Sequence, residues 1–267
     1  MCCTRSSGII MQAIIECRGV SFSYGSGEIL RDINLSLGSG KMLGILGANG
    51  AGKSTLLKIL MGILKAHKGS VLFNDKPLSG YDRREVAKRI AYIPQDPVFA
   101  FPFTVSEVIL MGRAPYIGRF EFEREIDIEA AGRAMDTVGI SHLKDRLITE
   151  TSSGERQLAS IARALVQEPE VMILDEPATF LDIRHRNEIM ILLRKLKEEH
   201  GILIIAATHD IFTALFYFDE IIMIKDGRVF ANGSSETVIN RENLSSLYGI
   251  EVMVRKEGGK VFIYPGD

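Results

Sequence analysis

Residues Gly47 to Ser54 read G-A-N-G-A-G-K-S: a glycine, four residues, a second glycine, then lysine and serine. This is the spacing of a phosphate-binding loop. The run K-M-L-G-I-L before it is apolar enough for a buried strand. The run T-L-L-K-I-L-M-G-I-L after it sets Leu56, Leu57, Leu60 and Leu64 at helical spacing. A loop between strand and helix is the setting in which the pattern has chemical meaning. Small residues let successive N–H groups curl around phosphate oxygens, and the helix start adds partial positive charge. Gly47, Ala48, Asn49, Gly50, Ala51 and Gly52 would then form the cradle. Lys53 would reach the β- and γ-phosphates, and the Ser54 hydroxyl would ligate Mg²⁺.

With 267 residues the chain has room for one or two domains and a sizeable core. A net charge of −2 supplies no basic field for nucleic acid. Three cysteines, Cys2, Cys3 and Cys17, lack metal-ligand spacing and suit a reducing compartment. No apolar run approaches the roughly 18 residues of a membrane span, and the N-terminus lacks an apolar signal core. A membrane role would therefore come through a partner. Residues 1–11 read as a loose tail.

Strands are expected at Ile14 to Tyr24 and Ile29 to Leu37, joined through Gly25-Ser26-Gly27. Ser70 to Phe73 reads as a short strand, Arg83 to Ile90 as a polar helix and Ala91 to Ile93 as a strand. From about 96 to 161 strand signals give way to helical ones. Thr104 followed by Glu107 is a capping box opening a helix through Met111. Glu125 to Val138 and Glu155 to Val166 give two more helices. This segment reads as a helical insertion in an α/β core. The core resumes with the apolar strand Val171 to Leu174. A helix follows over Asp182 to His200, stopped at Gly201. Ile202 to Thr208 reads as a strand buried on both faces, and Ile221 to Ala231 as a hairpin turned at Asp226-Gly227.

V-M-I-L-D-E-P at Val171 to Pro177 ends an apolar strand in two carboxylates, at the sheet edge that also carries the loop. Asp175 would hold Mg²⁺ through water, and Glu176 would polarise an attacking water. His209, in T-H-D, ends the next strand and would face the same edge, donating to the γ-phosphate and ordering that water. Gln95, in Y-I-P-Q-D, stands between core and insertion as a candidate Mg²⁺ ligand and mechanical link. Tyr24, in F-S-Y-G, could offer a ring to stack on adenine. T-S-S-G-E-R-Q at Thr151 to Gln157 opens a helix with hydroxyls, a glycine and free N–H groups, an anion site by construction.

Taken in order, these elements resemble the ATP-binding-cassette ATPases. Tyr24 resembles the adenine-stacking aromatic, Gly47 to Thr55 the Walker A loop and Gln95 the Q-loop glutamine. Ser152 to Gln157 resembles the signature motif, including Ser152, Ser153, Gly154 and Glu155. Asp175 and Glu176 resemble Walker B with its catalytic base, Asp182 the D-loop aspartate and His209 the switch histidine. The family signature reads L-S-G-G-Q or L-S-G-G-E; here Thr151 replaces leucine and Ser153 the first glycine. A serine keeps the N–H contact if its φ is negative and is strained if it is positive.

The resemblance implies a RecA-like P-loop core with a mostly parallel sheet and an N-terminal antiparallel β subdomain. It places the ATPase domain at 12–250, the inserted helical subdomain at about 96–161 and a β extension at 251–267. It implies ATP and Mg²⁺, and catalysis by Lys53, Glu176 and His209. It also implies a head-to-tail homodimer with each ATP between one subunit's loop and the other's signature. Two permease copies would anchor that dimer peripherally on the cytoplasmic face of the membrane, with a substrate-binding protein acting indirectly and no nucleic acid. The stretch from Asp96 to Phe120, above all M-G-R-A-P-Y at 111–116, is similar to the group serving iron–siderophore, haem, cobalamin and molybdate importers. An export ATPase, and a non-transport or regulatory ATPase of the same fold, are the rival readings. Pro97 and Pro102 bar a regular helix; aromatics on such a segment suggest a docking surface, and the resemblance implies a permease contact nearby, so Phe99, Phe101 and Phe103 are expected there, the alternative being that they pack the helical insertion against the core.

Overall fold

The computed structural model describes residues 13–25, 27–97, 99, 101–179, 181–257 and 260–266. The expected N-terminal tail, with Cys2 and Cys3, lies outside them. The first two strands, β1 (Ala13–Tyr24) and β2 (Gly27–Gly38), pair antiparallel. After β3 (Met42–Gly47) and α1 (Lys53–Leu60), β4 (Lys68–Phe73) returns to the other side of β1, and β5 (Lys76–Pro77) closes the set. The order in this antiparallel sheet is β2-β1-β4-β5. The helix after the loop is shorter than its leucine spacing suggests. It ends at Leu60, and Gly62 turns the chain with φ 69°, leaving Leu64 outside.

The second sheet carries β6 (Ile90–Ile93), β7 (Val171–Asp175), β8 (Leu203–Thr208), β9 (Glu220–Lys225) and β10 (Arg228–Ser234), in the order β10-β9-β3-β8-β7-β6. All its pairings are parallel except β9 with β10. Every residue of β3 and β8 is buried, the sign of a sheet covered on both faces. On one face Leu43, Ile45, Ile173 and Ile205 pack against α1 and the antiparallel sheet. On the other, Met42, Leu46, Met172 and Ile204 pack against helices. Gly44 admits Phe218 to that face; a Cβ there would stand 2.8 Å from the ring.

Between β4 and β7 lie α2 (Arg83–Arg89), α3 (Val105–Leu110), α4 (Glu125–Val138) and α5 (Ser153–Leu165). The expected cap of α3 is present: Glu107 N–H donates to Thr104 Oγ1 at 3.2 Å, and Thr104 N–H to Glu107 Oε2 at 2.7 Å. Beyond β7 come α6 (Ile183–His200), α7 (Ile211–Tyr217), α8 (Ser235–Val238) and α9 (Arg241–Tyr248). The last three helices escape the sequence reading because each is short. A final pair, β11 (Val252–Glu257) and β12 (Lys260–Pro265), stands apart as a two-stranded sheet. Among the described residues no helix is long and apolar enough to cross a membrane.

Within the M-G-R-A-P-Y stretch, Gly112 and Arg113 form a buried junction, while Met111 and Ala114 are exposed. Arg113, 5% exposed, donates from Nε to Asp127 Oδ1 at 2.9 Å and from Nη1 to the Val166 carbonyl at 3.0 Å, with its guanidinium 3.8 Å above the Tyr116 ring. Gly112 is required beside it, because a Cβ would stand 2.2 Å from the Arg163 carbonyl. Burial pushes the Asp127 carboxyl up, but the Arg124 N–H and the Arg113 guanidinium outweigh it and hold the carboxyl below its usual range. Its stabilisation is therefore present above the ordinary carboxylate range and is lost as pH falls through the lowered value. Phe99 is half-buried against the core, with the Arg163 guanidinium 5.8 Å from its ring, so it packs rather than docks. Phe101 is 65% exposed.

Removing one member of a buried ion pair leaves the other short of a partner; Arg113 would keep only the exposed Glu168, at 3.3 Å. Asp127→Ala is expected to lower unfolding free energy by about 3 kcal/mol, read from urea melts at neutral pH. A loss below about 1 kcal/mol would show that the junction contributes little.

Candidate functional site

The parallel register decides which residues meet. Leu46 lies opposite Thr208, Asp175 opposite Ala207, and Ile93 opposite Leu174. The four strands therefore end together, and the loop after β3, the Asp175-Glu176 pair, His209 and Gln95 all emerge at one sheet edge, where open parallel sheets bind ligands.

Glycine is needed at two points in the loop. At Gly47 a Cβ would stand 2.8 Å from the Ile224 carbonyl. Gly52 caps α1 with φ 102°, and a Cβ there would meet Leu30 at 2.8 Å and the Ile29 carbonyl at 3.2 Å. Lys53 is 7% exposed and folds back over the loop, donating to the carbonyls of Gly47 at 2.8 Å and Ala48 at 3.3 Å. Burial pushes the Asp175 carboxyl up; the neighbouring Ser54 hydroxyl opposes the shift and the Glu176 charge adds to it.

Glu176 is the meeting point. Its N–H donates to the Ala207 carbonyl at 3.1 Å, adding one rung beyond β7, and its own φ is 48°. A non-glycine residue in the left-handed region is strained, and such strain gathers at functional sites. The side chain is 11% exposed. Oε2 accepts from Gln95 Nε2 at 3.3 Å, Thr179 Oγ1 at 3.0 Å and His209 Nδ1 at 2.9 Å, and Lys53 Nζ stands 3.7 Å from Oε1. A carboxylate only accepts, so His209 carries its proton on Nδ1.

A second group lies at the start of α5. Ser152 Oγ accepts from Glu155 N–H at 3.3 Å, and Glu155 Oε2 accepts from Ser152 N–H at 2.7 Å. That Ser152 N–H holds the Glu155 carboxyl below its usual range. The Glu155 carboxylate is taken up by the cap, and of the next two residues Ser153 is exposed and Gly154 buried. Ser153 is not among the positive-φ residues, so the serine here is unstrained. Thr151, in the usual leucine position, is buried and donates its hydroxyl to the Ile148 carbonyl at 2.7 Å.

Asp182 caps α6 through His185 N–H at 2.9 Å and His185 Nδ1 at 2.8 Å, and these hold its carboxyl below the usual range. A Cβ on Gly154 would stand 2.7 Å from the His185 ring, so the starts of α5 and α6 touch. Among the described residues, no hydrogen bond or ion pair joins this group to residues 47–54 or to Glu176. Tyr24 is 52% exposed, its ring edge-on to Phe22 at 4.8 Å. Two contributors went unread in the sequence. Thr179 and His185 lie in P-A-T-F-L-D-I-R-H, where only Asp182 was singled out.

Among the described residues no cluster of three or more His, Cys, Asp or Glu side chains could hold a metal by itself. The set Ser54, Gln95 and Asp175 supplies one hydroxyl, one amide and one carboxylate. That fits Mg²⁺, which takes one or two carboxylates and completes its shell with phosphates and water. A glycine cradle with its lysine, beside a strand-end carboxylate pair and a histidine, defines a P-loop nucleoside triphosphatase.

The match to known proteins is narrower. Residues 30–179 match the family model described as ABC transporter. The chain is 34% identical over 263 residues to the hemin import ATP-binding protein of Bradyrhizobium diazoefficiens, covering 96% of each. It is 33% identical to the ferric enterobactin transport ATP-binding protein of Escherichia coli, covering 91% of this chain and 90% of that one. A solved ATP-binding cassette of an ABC transporter in its ADP conformation superposes with TM-score 0.81 at 26% identity, covering 89% of this chain and 97% of that one. The chain belongs to the ABC transporter family, as an ATP-binding, ATP-hydrolysing subunit.

Gly52→Ala is expected to cost about 1–3 kcal/mol in stability through strain and contact with Leu30, and to weaken binding of a fluorescent ATP analogue. Gly50→Ala, where φ is 81° and nothing lies within 4 Å of the added methyl, should cost less. Equal losses at the two positions would show that crowding at Gly52 is irrelevant.

Proposed function

We propose that this subunit powers uptake of an iron chelate, haem or a related metal-containing compound through a membrane permease. The relatives named as hemin import and ferric enterobactin transport ATP-binding proteins support this reading. The observation that supports the hydrolytic assignment best is the convergence on Glu176: three donors on one carboxylate oxygen, with Lys53 beside the other.

In this reading Glu176 takes the proton of the attacking water, His209 orders that water and the γ-phosphate, and Lys53 moves from the loop carbonyls onto the phosphates. Oε2 already receives three donors, so the water donates to Oε1, from which Lys53 Nζ stands 3.7 Å. Ser54, Gln95 and Asp175 would hold Mg²⁺, which neutralises phosphate charge when bound. The body of the chain, about 12–250, forms the ATPase unit, with the helices between 96 and 161 as its inserted part and 251–267 as an extension.

The start of α5, where Ser152 and Ser153 are exposed, belongs to a site completed by a second copy, in a head-to-tail homodimer with ATP between one loop and the partner's signature helix. The dimer sits on the cytoplasmic face of the membrane against two permease copies, and a substrate-binding protein delivers the cargo. The exposed Phe101 ring, beside the Gln95 segment, suits the permease contact.

Glu176→Gln should retain ATP binding while hydrolysis falls by about 10²–10⁴-fold, and ATP should then drive a dimer in gel filtration. Wild-type turnover in this variant would remove Glu176 from the chemistry. Lys53→Ala and Ser152→Arg chains, each inactive alone, should regain part of the wild-type ATPase on mixing, in proportion to heterodimer formed. Proven heterodimers without recovery would speak against two independent shared sites.

A further inference from the structure

We propose that Arg186 and Tyr248 are positioning residues for His209, and that Arg186 ties the histidine to the start of α6. The inference rests on the reading of Glu176 and His209 as the hydrolytic pair.

His209 follows the last residue of β8, so no strand ladder fixes its backbone. His209 itself borders an open cavity of about 460 Å³, lined also by Glu176, Pro177, Arg186, Asp210, Phe212 and Tyr248. Close packing does not hold the segment on that side, and tethers must. Tyr248, on α9, donates its hydroxyl to the His209 carbonyl at 3.1 Å. Asp210, the next residue, is fixed from several directions. Its N–H donates to Thr208 Oγ1 at 3.0 Å, and its Oδ1 accepts the Phe212 N–H at 3.0 Å as the cap of α7. Its Oδ2 accepts Thr213 Oγ1 at 2.7 Å and Arg186 Nη1 at 2.8 Å.

Most of these bonds are local to the β8–α7 turn; besides Glu176, Arg186 and Tyr248 reach it from distant elements. Arg186 lies one turn into α6, where its N–H donates to the carbonyl of the cap residue Asp182 at 3.0 Å. A continuous path therefore runs from Asp182 through Arg186 and Asp210 to His209 and Glu176. A shift of the α6 start, such as a second subunit pressing on Asp182 would cause, moves the guanidinium and with it the Asp210 carboxylate. Arg186 Nε is buried without a hydrogen-bond partner among the described residues, so Nη1 makes the bond that anchors this side chain. The effect belongs on kcat, through the aim of His209 at Glu176. It does not belong on KM, because neither tether touches the loop that binds phosphate.

The test is steady-state ATP hydrolysis by the purified chain, with His209→Ala as reference and melting temperature recorded for each variant. Arg186→Met should lower kcat about tenfold with KM for ATP within about twofold, and Arg186→Lys should recover most of the loss. Arg186→Met combined with Asp210→Asn, which keeps the helix cap, should be no slower than the slower single variant. Tyr248→Phe should lower kcat about threefold. Unchanged kcat in Arg186→Met, a change confined to KM, multiplicative losses in the double variant, or melting below the assay temperature would each overturn the positioning role. If His209→Ala hydrolyses ATP normally, the hydrolytic reading itself falls. If His209→Ala is inactive while Arg186→Met is not, only this inference falls.

Discussion

The site depends on the register of four parallel strands. Because β3, β6, β7 and β8 pair in parallel and end level, segments as distant as residues 47, 95, 176 and 209 reach one edge. A slip of one residue in β7 would reverse the faces of Met172 and Ile173, which pack into different cores, so burial on both faces fixes the register. The apolar sandwich thus sets the position of the polar edge to within one residue.

On that edge the Glu176 carboxylate organises everything near it. Its backbone is pinned by one rung to Ala207 and then turned into the left-handed region. This turn carries the side chain away from Asp175 and toward Gln95, Thr179 and His209. The two adjacent carboxylates come to do different things. Asp175 is half-buried beside Ser54 and is pushed up in pKa; Glu176 collects donors from two other segments and from Thr179 in its own turn. Sequence adjacency says nothing of this division, which follows from the strand ending between them.

The helical segment is joined to this centre by side chains with few alternatives. Arg113 spans α4 and the end of α5, and Gly112 lets it approach. Phe99 lies near Arg163 of α5, so the stretch after Gln95 touches the helix whose other end carries Ser152 and Gly154. His185 closes the circuit by packing on Gly154 while holding Asp182. A displacement at Gln95 therefore has a contiguous packed route to the start of α5.

The sequence by itself determined the phosphate loop, the carboxylate pair, the strand-end histidine and glutamine, the capped starts of α3 and α5, and the order of strands and helices around them. These are local matters: glycine positions, apolar runs and cap residues act within a turn or a strand of their own place. It misjudged the length of α1, because leucine spacing continues past the turn at Gly62. It read Phe99 as surface, because an aromatic in a proline-flanked loop gives no sign of what packs on it. It missed α7, α8 and α9, each too short for a periodic signal. Only the tertiary structure decided that Ser153 is unstrained, that Thr179 reaches Glu176, that His185 joins Asp182 to Gly154, and that Arg186 and Tyr248 meet the His209 segment. Those contacts span 3 to 39 residues of sequence, and their geometry is set by how α5, α6 and α9 dock on one sheet, a property that no single stretch of the chain contains.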